Sequence, residues 1–147
     1  MKCYVDQSGK VENTGKLTVV AMADGKIKSL LINSREKRKV LRIMREIELP
    51  GRVYVYKIFA GLVFLLVKKE RVNELFIDDE YPGHGPLIKD IIIKLFERHK
   101  LKVPHINFGL IGKNNEAHKV ALETFRGKRD ADIIVNAKDI FGLFYTK

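Results

Sequence analysis

The stretch Glu74-Leu75-Phe76-Ile77-Asp78-Asp79-Glu80-Tyr81-Pro82-Gly83-His84-Gly85-Pro86 ends a short apolar run on three consecutive acids, then turns on glycine and proline. Such a run describes a strand that presents carboxylates at its mouth, a placement that suits a divalent cation better than it suits a core. Outside this stretch the chain is basic. Of its 147 residues, 28 are Lys or Arg against 18 Asp or Glu, for a formal net charge of +10. A positive chain that gathers negative charge at one point fits the handling of nucleic acid with a metal ion.

The flanking residues place that strand in a sheet. Residues 2–8 and 16–23 read as strands, and Asp24-Gly25 is a two-residue hairpin signal before a third strand over 26–32, so the chain opens as an antiparallel meander. Asn33 or Ser34 caps a helix running to about residue 48, with Val40, Ile43, Met44 and Ile47 on one face, and Pro50-Gly51 stops it. Residues 52–56, β-branched and aromatic, read as a short strand. Residues 57–69 are apolar on nearly every side, which leaves periodicity undecided between a buried helix and two strands. A helix is preferred because a strand follows at 73–79, and parallel connections favour helical crossovers. Beyond the acidic turn come a helix over 86–100, a strand over 104–111, a helix over 114–125 ended by Gly127, and a tail over 133–145 that holds a short strand or helix. The expected fold is α/β: one domain over residues 1–147, a mixed sheet built from a meander and then alternating helix and strand, with helices on both faces.

Composition narrows the class. A hydrophobic fraction of 46% with 4 Pro and 11 Gly is that of a globular chain. The single Cys3 can form neither an internal disulfide nor a thiolate zinc site, which points to a reducing, cytoplasmic setting. The N-terminus carries early charge and lacks the apolar centre of a signal peptide. The apolar run over 58–67 is about half the roughly 20 residues that a membrane span needs. Gln7 is the only glutamine, Trp is absent, and Lys, Glu, Arg and Ile are abundant, a usage that leans towards a thermophile. No His-Glu-x-x-His, Gly-x-Ser-x-Gly or paired-Cys motif is present. Gly109-Leu110-Ile111-Gly112-Lys113-Asn114 lacks both the Walker spacing and the Ser or Thr after Lys.

Two features carry chemistry. Asp6 emerges near the middle or end of the first strand, and Asp78 to Glu80 end a later one. Neighbouring strands lie about 4.8 Å apart, close enough for their acids to share a cation, as in phosphodiester cleavage by cations roughly 3.5–4 Å apart. The plain alternatives are a solvated strand end and a turn aspartate. The second feature is the helix after the meander, where Arg35, Lys37, Arg38, Lys39, Arg42 and Arg45 stand against Glu36 and Glu46. This excess of one sign points to phosphate contacts that are independent of sequence and weakened by salt. His84 between two glycines, and Lys113, add donors for phosphate. Tyr54, Tyr56 and Phe59 either stack on unpaired bases or pack in the core.

Three segments, in order, resemble the ribonuclease H-like superfamily of nucleases and integrases: Val5-Asp6-Gln7-Ser8-Gly9, then Phe76-Ile77-Asp78-Asp79-Glu80-Tyr81, then Gly112-Lys113-Asn114-Asn115-Glu116-Ala117-His118-Lys119. The resemblance implies that Asp6 and Asp78 bind Mg²⁺ or Mn²⁺, with Asp79 or Glu80 substituting if the strand register slips by one. It gives the third position to Glu116 or His118, His118 first, because some members use a histidine there. The chain departs from ribonuclease H proper: residues 57–69 hold no glutamate, and an extra basic helix precedes them. The implied activity is a metal-dependent nuclease of the resolvase or exonuclease kind, with DNA slightly favoured, single-stranded or branched, and compatible with a homo-oligomer. The alternative is a non-catalytic nucleic-acid-binding module with the same fold.

Overall fold

In the computed structural model, which describes residues 2–145, the meander is formed by β1 (Lys2–Ser8), β2 (Thr18–Ala23) and β3 (Ile27–Ile32). The β2–β3 hairpin closes at Asp24-Gly25. There the Asp24 side chain accepts from the Lys26 N–H, and Gly25 takes a φ of 101°, which a side chain would resist. Then follow α1 (Ser34–Ile47), α2 (Val53–Val67), β4 (Glu74–Asp78), α3 (Gly85–Arg98), β5 (His105–Gly109), α4 (Glu116–Phe125), β6 (Ile133–Val135) and α5 (Ala137–Phe144). Among the described residues the strands form one six-stranded sheet in the order β5-β4-β1-β2-β3-β6. β1 pairs antiparallel with β2 and parallel with β4; β5 joins β4 in parallel, and β6 joins β3 in parallel. The sheet is therefore mixed, with β1 inside it.

Alternation along the strands sorts the two faces. Cys3, Val5, Val20, Met22, Leu30, Ile32, Leu75 and Ile77 point into the main core, which α1, α2, α3 and α5 close. Val19 and Ala21 point the other way, onto Val120 and Ala121 of α4. Burial pushes the Cys3 thiol up to about 12, so it stays an unreactive core side chain. No helix among the described residues is long and apolar enough to cross a membrane.

The short strand expected over 52–56 is instead the opening of α2. Val55, Ile58, Phe59, Leu62 and Leu66 recur at helical spacing and are buried. Each such side chain contributes about 1.5–3 kcal/mol on burial, more than the strand preference of a Val or Tyr can oppose. In the tail both readings hold in succession, strand β6 and then helix α5. The latter starts on a capping box in which Asn136 and Asp139 each accept the other's backbone N–H.

Lys37 departs from the basic set read in the sequence. Its side chain is fully buried, and its Nζ donates to the Lys10 carbonyl and to Thr18 Oγ1, both at 3.0 Å, tying α1 to the β1–β2 loop. It therefore faces no phosphate. Burial pushes its pKa from 10.5 down to about 8. Within that window the unfolded chain holds the extra proton, so stability should rise with pH between about 8 and 10.5. Urea unfolding across that range should show the rise in the wild type and lose it in Lys37→Met. An unchanged slope in the variant would assign the effect to another group.

Candidate metal centre

β1 and β4 run parallel with Val5 opposite Ile77, and one more step at the same offset sets Asp6 level with Asp78. The pleat then turns both side chains to the α4 face, away from the core that receives Val5 and Ile77. Glu80 follows two residues later in the turn. One carboxylate oxygen from each of Asp6, Asp78 and Glu80 lies within 4.8 Å of the other two.

Each aspartate is aimed by hydrogen bonds. Asp6 is 3% exposed; its Oδ1 accepts from the Gln7 N–H at 2.8 Å, and its Oδ2 lies 2.8 Å from His118 Nδ1. An ionised carboxylate only accepts, so that contact sets the hydrogen on Nδ1 and leaves Nε2 for another partner. Asp78 Oδ1 accepts from the Ile111 N–H at 3.0 Å, which ties the loop carrying Lys113 to the centre. Gly9, just past β1, has a φ of 79°, and a Cβ there would stand 2.4 Å from the Leu17 carbonyl oxygen and 2.5 Å from the Phe125 ring. The end of β1 thus packs too closely on Leu17 and α4 to leave room for a side chain.

The electrostatics are those of a site short of positive charge. Burial, then the Asp78 carboxylate beside it, pushes Glu80 from 4.5 up to about 8. Burial also raises Asp6, against the lowering effect of the Gln7 N–H and His118. Among the described residues no lysine or arginine forms an ion pair with any of the three acids, although the chain carries a net +10. Three crowded carboxylates that lack such a partner are a donor set that fits a divalent cation.

The remaining site residues read from the sequence fall elsewhere or take other contacts. Asp79 is not among the acids that converge, and its N–H donates to the Gly109 carbonyl at 3.0 Å, prolonging the β4–β5 pairing. Glu116 opens α4 beside a depression shared with Lys2, Tyr4 and the Asp24-Gly25 turn, and its carboxylate is not among those that converge. His118 meets the centre through Asp6 rather than as one of its converging donors. His84 is exposed and stacks on Tyr56, with ring centroids 4.2 Å apart. Of the basic helix, Arg35, Arg38, Lys39, Arg42 and Arg45 are exposed, and Lys39 pairs with Glu36 at 3.2 Å.

The contacts of two neighbours of the centre escape a reading of the sequence. Lys10 acts on Glu80 through its charge, and its Nζ lies 5.9 Å from the centre of the Tyr81 ring. The Tyr81 hydroxyl accepts from the Val11 N–H and donates to Glu12 Oε1, both at 3.3 Å, so it knits the β1–β2 loop to the end of β4. Lys10 belongs to no motif, whereas Tyr81 closes the acidic segment singled out in the sequence; the turn after Ser8-Gly9 brings the two together.

No protein-family model, curated protein or solved structure matches the chain. Fold and site together define an α/β protein with a mixed six-stranded sheet and an acidic cluster able to hold a metal ion.

Proposed function

We propose that the chain is a divalent-metal-dependent nuclease of the ribonuclease H-like class that hydrolyses phosphodiester bonds, with DNA slightly favoured. The observation that carries this reading is the convergence of Asp6, Asp78 and Glu80, drawn from two adjacent parallel strands and the turn after one of them. The order of strands supports the class: an acid-bearing β1 lies between an antiparallel meander on one side and parallel strands on the other. Among the described residues no acid from α1 or α2 joins the cluster, which favours a resolvase-like or exonuclease-like activity over cleavage of RNA–DNA hybrids. A reducing, cytoplasmic setting fits the lone buried Cys3.

In this mechanism Asp6 and Asp78 would hold the cation between the two strands. Glu80, whose pKa is raised to about 8 in the metal-free protein, would give up its proton on joining them. His118 keeps Asp6 Oδ2 oriented, and the Ile111 N–H does the same for Asp78. Bound Mg²⁺ or Mn²⁺ supplies Lewis acidity towards the phosphate and eases deprotonation of the attacking water. Water would add to phosphorus and lose a proton to solvent, the opposite P–O bond would break, and the leaving oxygen would take up a proton from solvent.

The test is incubation of labelled single-stranded and duplex DNA and RNA with Mn²⁺ or with EDTA. Cleavage that appears with Mn²⁺ and vanishes with EDTA is expected, strongest on DNA. Binding of nucleic acid without cleavage of any substrate would overturn the enzyme and leave the binding module.

A further inference from the structure

A cavity of about 710 Å³ opens between α1 and the first turn of α2, away from the carboxylate cluster. Arg38, Arg42 and Arg45 line one wall. Their spacing of four and then three residues places them on one helix face, over a rise of about 10 Å. Arg52 joins them from the start of α2. Against these stand Glu12 and Glu46. Glu12 is already engaged with Arg52, at 3.7 Å, and Arg38 donates to the Thr14 carbonyl. Arg42 and Arg45 form no ion pair among the described residues. Two guanidinium groups without a carboxylate partner, facing a cavity on a chain of net +10, are placed for an anion from outside.

The rest of the lining says which anion. Tyr54 is half-buried, and Leu49 beside it is 61% exposed, so the cavity has an apolar surface within reach of its arginines. Bare phosphate would leave that surface wet, and a duplex hides its base faces. A single strand offers both parts, phosphates for the guanidiniums and an unstacked base for the ring. The cavity is also linked to the carboxylates: Glu12, on its wall, accepts from the hydroxyl of Tyr81, the residue next to Glu80.

We propose that the cleft between α1 and α2 binds a single-stranded stretch of the nucleic acid, with its phosphates on Arg42 and Arg45 and a base on Tyr54. The identity of the ligand rests on the nuclease reading. Of the six basic residues of the α1 segment, those on the cleft wall do the binding, while Lys37 is structural and Lys39 is paired with Glu36.

Binding is read by fluorescence anisotropy in EDTA, where no cleavage occurs, with a labelled single-stranded DNA, the same strand in a duplex, and inorganic phosphate as competitor. Arg42→Glu combined with Arg45→Glu should weaken single-strand binding on the order of 100-fold at low salt and flatten the salt dependence by about 1.4 log units per log unit of salt, the effect of two lost phosphate contacts. Tyr54→Ala should weaken single-strand binding roughly tenfold and leave duplex binding unchanged. The thermal shift on adding Mn²⁺ should persist in both variants, showing that they fold. Equal losses for single strand and duplex, unaltered binding in the variants, or full displacement by inorganic phosphate at low millimolar concentration would overturn the cleft proposal. Cleavage absent from the wild type, with the binding pattern intact, would overturn the nuclease reading alone. Cleavage with an unchanged KM in the double arginine variant would overturn the cleft alone.

Discussion

Asp6→Asn should lower Mn²⁺-dependent cleavage by about a thousandfold or more, equivalent to at least about 4 kcal/mol of lost transition-state stabilisation. Asp6 is the acid most enclosed by the protein, and both of its oxygens have assigned partners, the Gln7 N–H and His118 Nδ1. Asparagine has the same shape, and its amide oxygen still accepts from Gln7. Its amide nitrogen can donate to His118 once the imidazole carries its hydrogen on Nε2. The fold should therefore survive while the charge that neutralises a cation is lost. Single-turnover cleavage of labelled single-stranded DNA reads the effect, with anisotropy and thermal unfolding as controls for binding and folding. His118→Ala, which removes only the group that orients Asp6, should cost less, about 10–100-fold. Equal rates for wild type and Asp6→Asn at saturating Mn²⁺ would sink the assignment of the centre.

Mn²⁺ should stabilise the wild type by about 2.7 kcal/mol when present at a hundred times its Kd, and Asp78→Asn should abolish that shift. The metal-free proteins should rank the other way. Glu80 has its folded pKa raised from 4.5 to about 8, so between those values the native chain holds a proton that the unfolded chain has lost. Metal-free stability contributed by this group is full below about 4.5 and declines as pH rises through about 8. Metal binding requires the carboxylate and releases that proton, so the shift produced by Mn²⁺ should grow over the same interval. Asp78→Asn removes the charge that acts on Glu80 after burial. The metal-free variant should melt above the metal-free wild type at pH 7.5 and not respond to Mn²⁺. Differential scanning fluorimetry at pH 5.5, 6.5 and 7.5, with Mn²⁺ and with EDTA, resolves both effects. A wild-type melting temperature indifferent to Mn²⁺ at every pH would remove the cation from the site.

Much of the architecture is legible in the chain because it is locally encoded. Asp24-Gly25 specifies the hairpin through a backbone angle that glycine alone adopts freely, Asn33 caps α1 through the Glu36 N–H, and the period-two pattern around Val5 and Ile77 marks strands with one core face. The acids at the end of β4 stand out for the same reason, as charge that interrupts an apolar run. Residues 52–56 were misleading because β-branched and aromatic side chains suit a strand in isolation, whereas the contacts of α2 with the sheet and its neighbouring helices lie far away in sequence.

What the amino-acid order determines by itself is therefore the set of elements, the mixed α/β class and the presence of acids at two strand ends. What the tertiary structure alone decides is which of those groups meet. Strand register and pleat carry Asp6 and Asp78 to the α4 face, while Asp79 stays out of the cluster and its N–H bonds to Gly109 of β5. Helical rotation does the same on α4: Glu116 and His118, two residues and about 200° apart, cannot face one partner, and His118 is the one that reaches Asp6. Burial separates Lys37 from Arg42 and Arg45, although the sequence writes all three as one basic run. In each case a side chain's charge is a local property, but its partner, its dielectric surroundings and hence its protonation are set by residues distant in the chain.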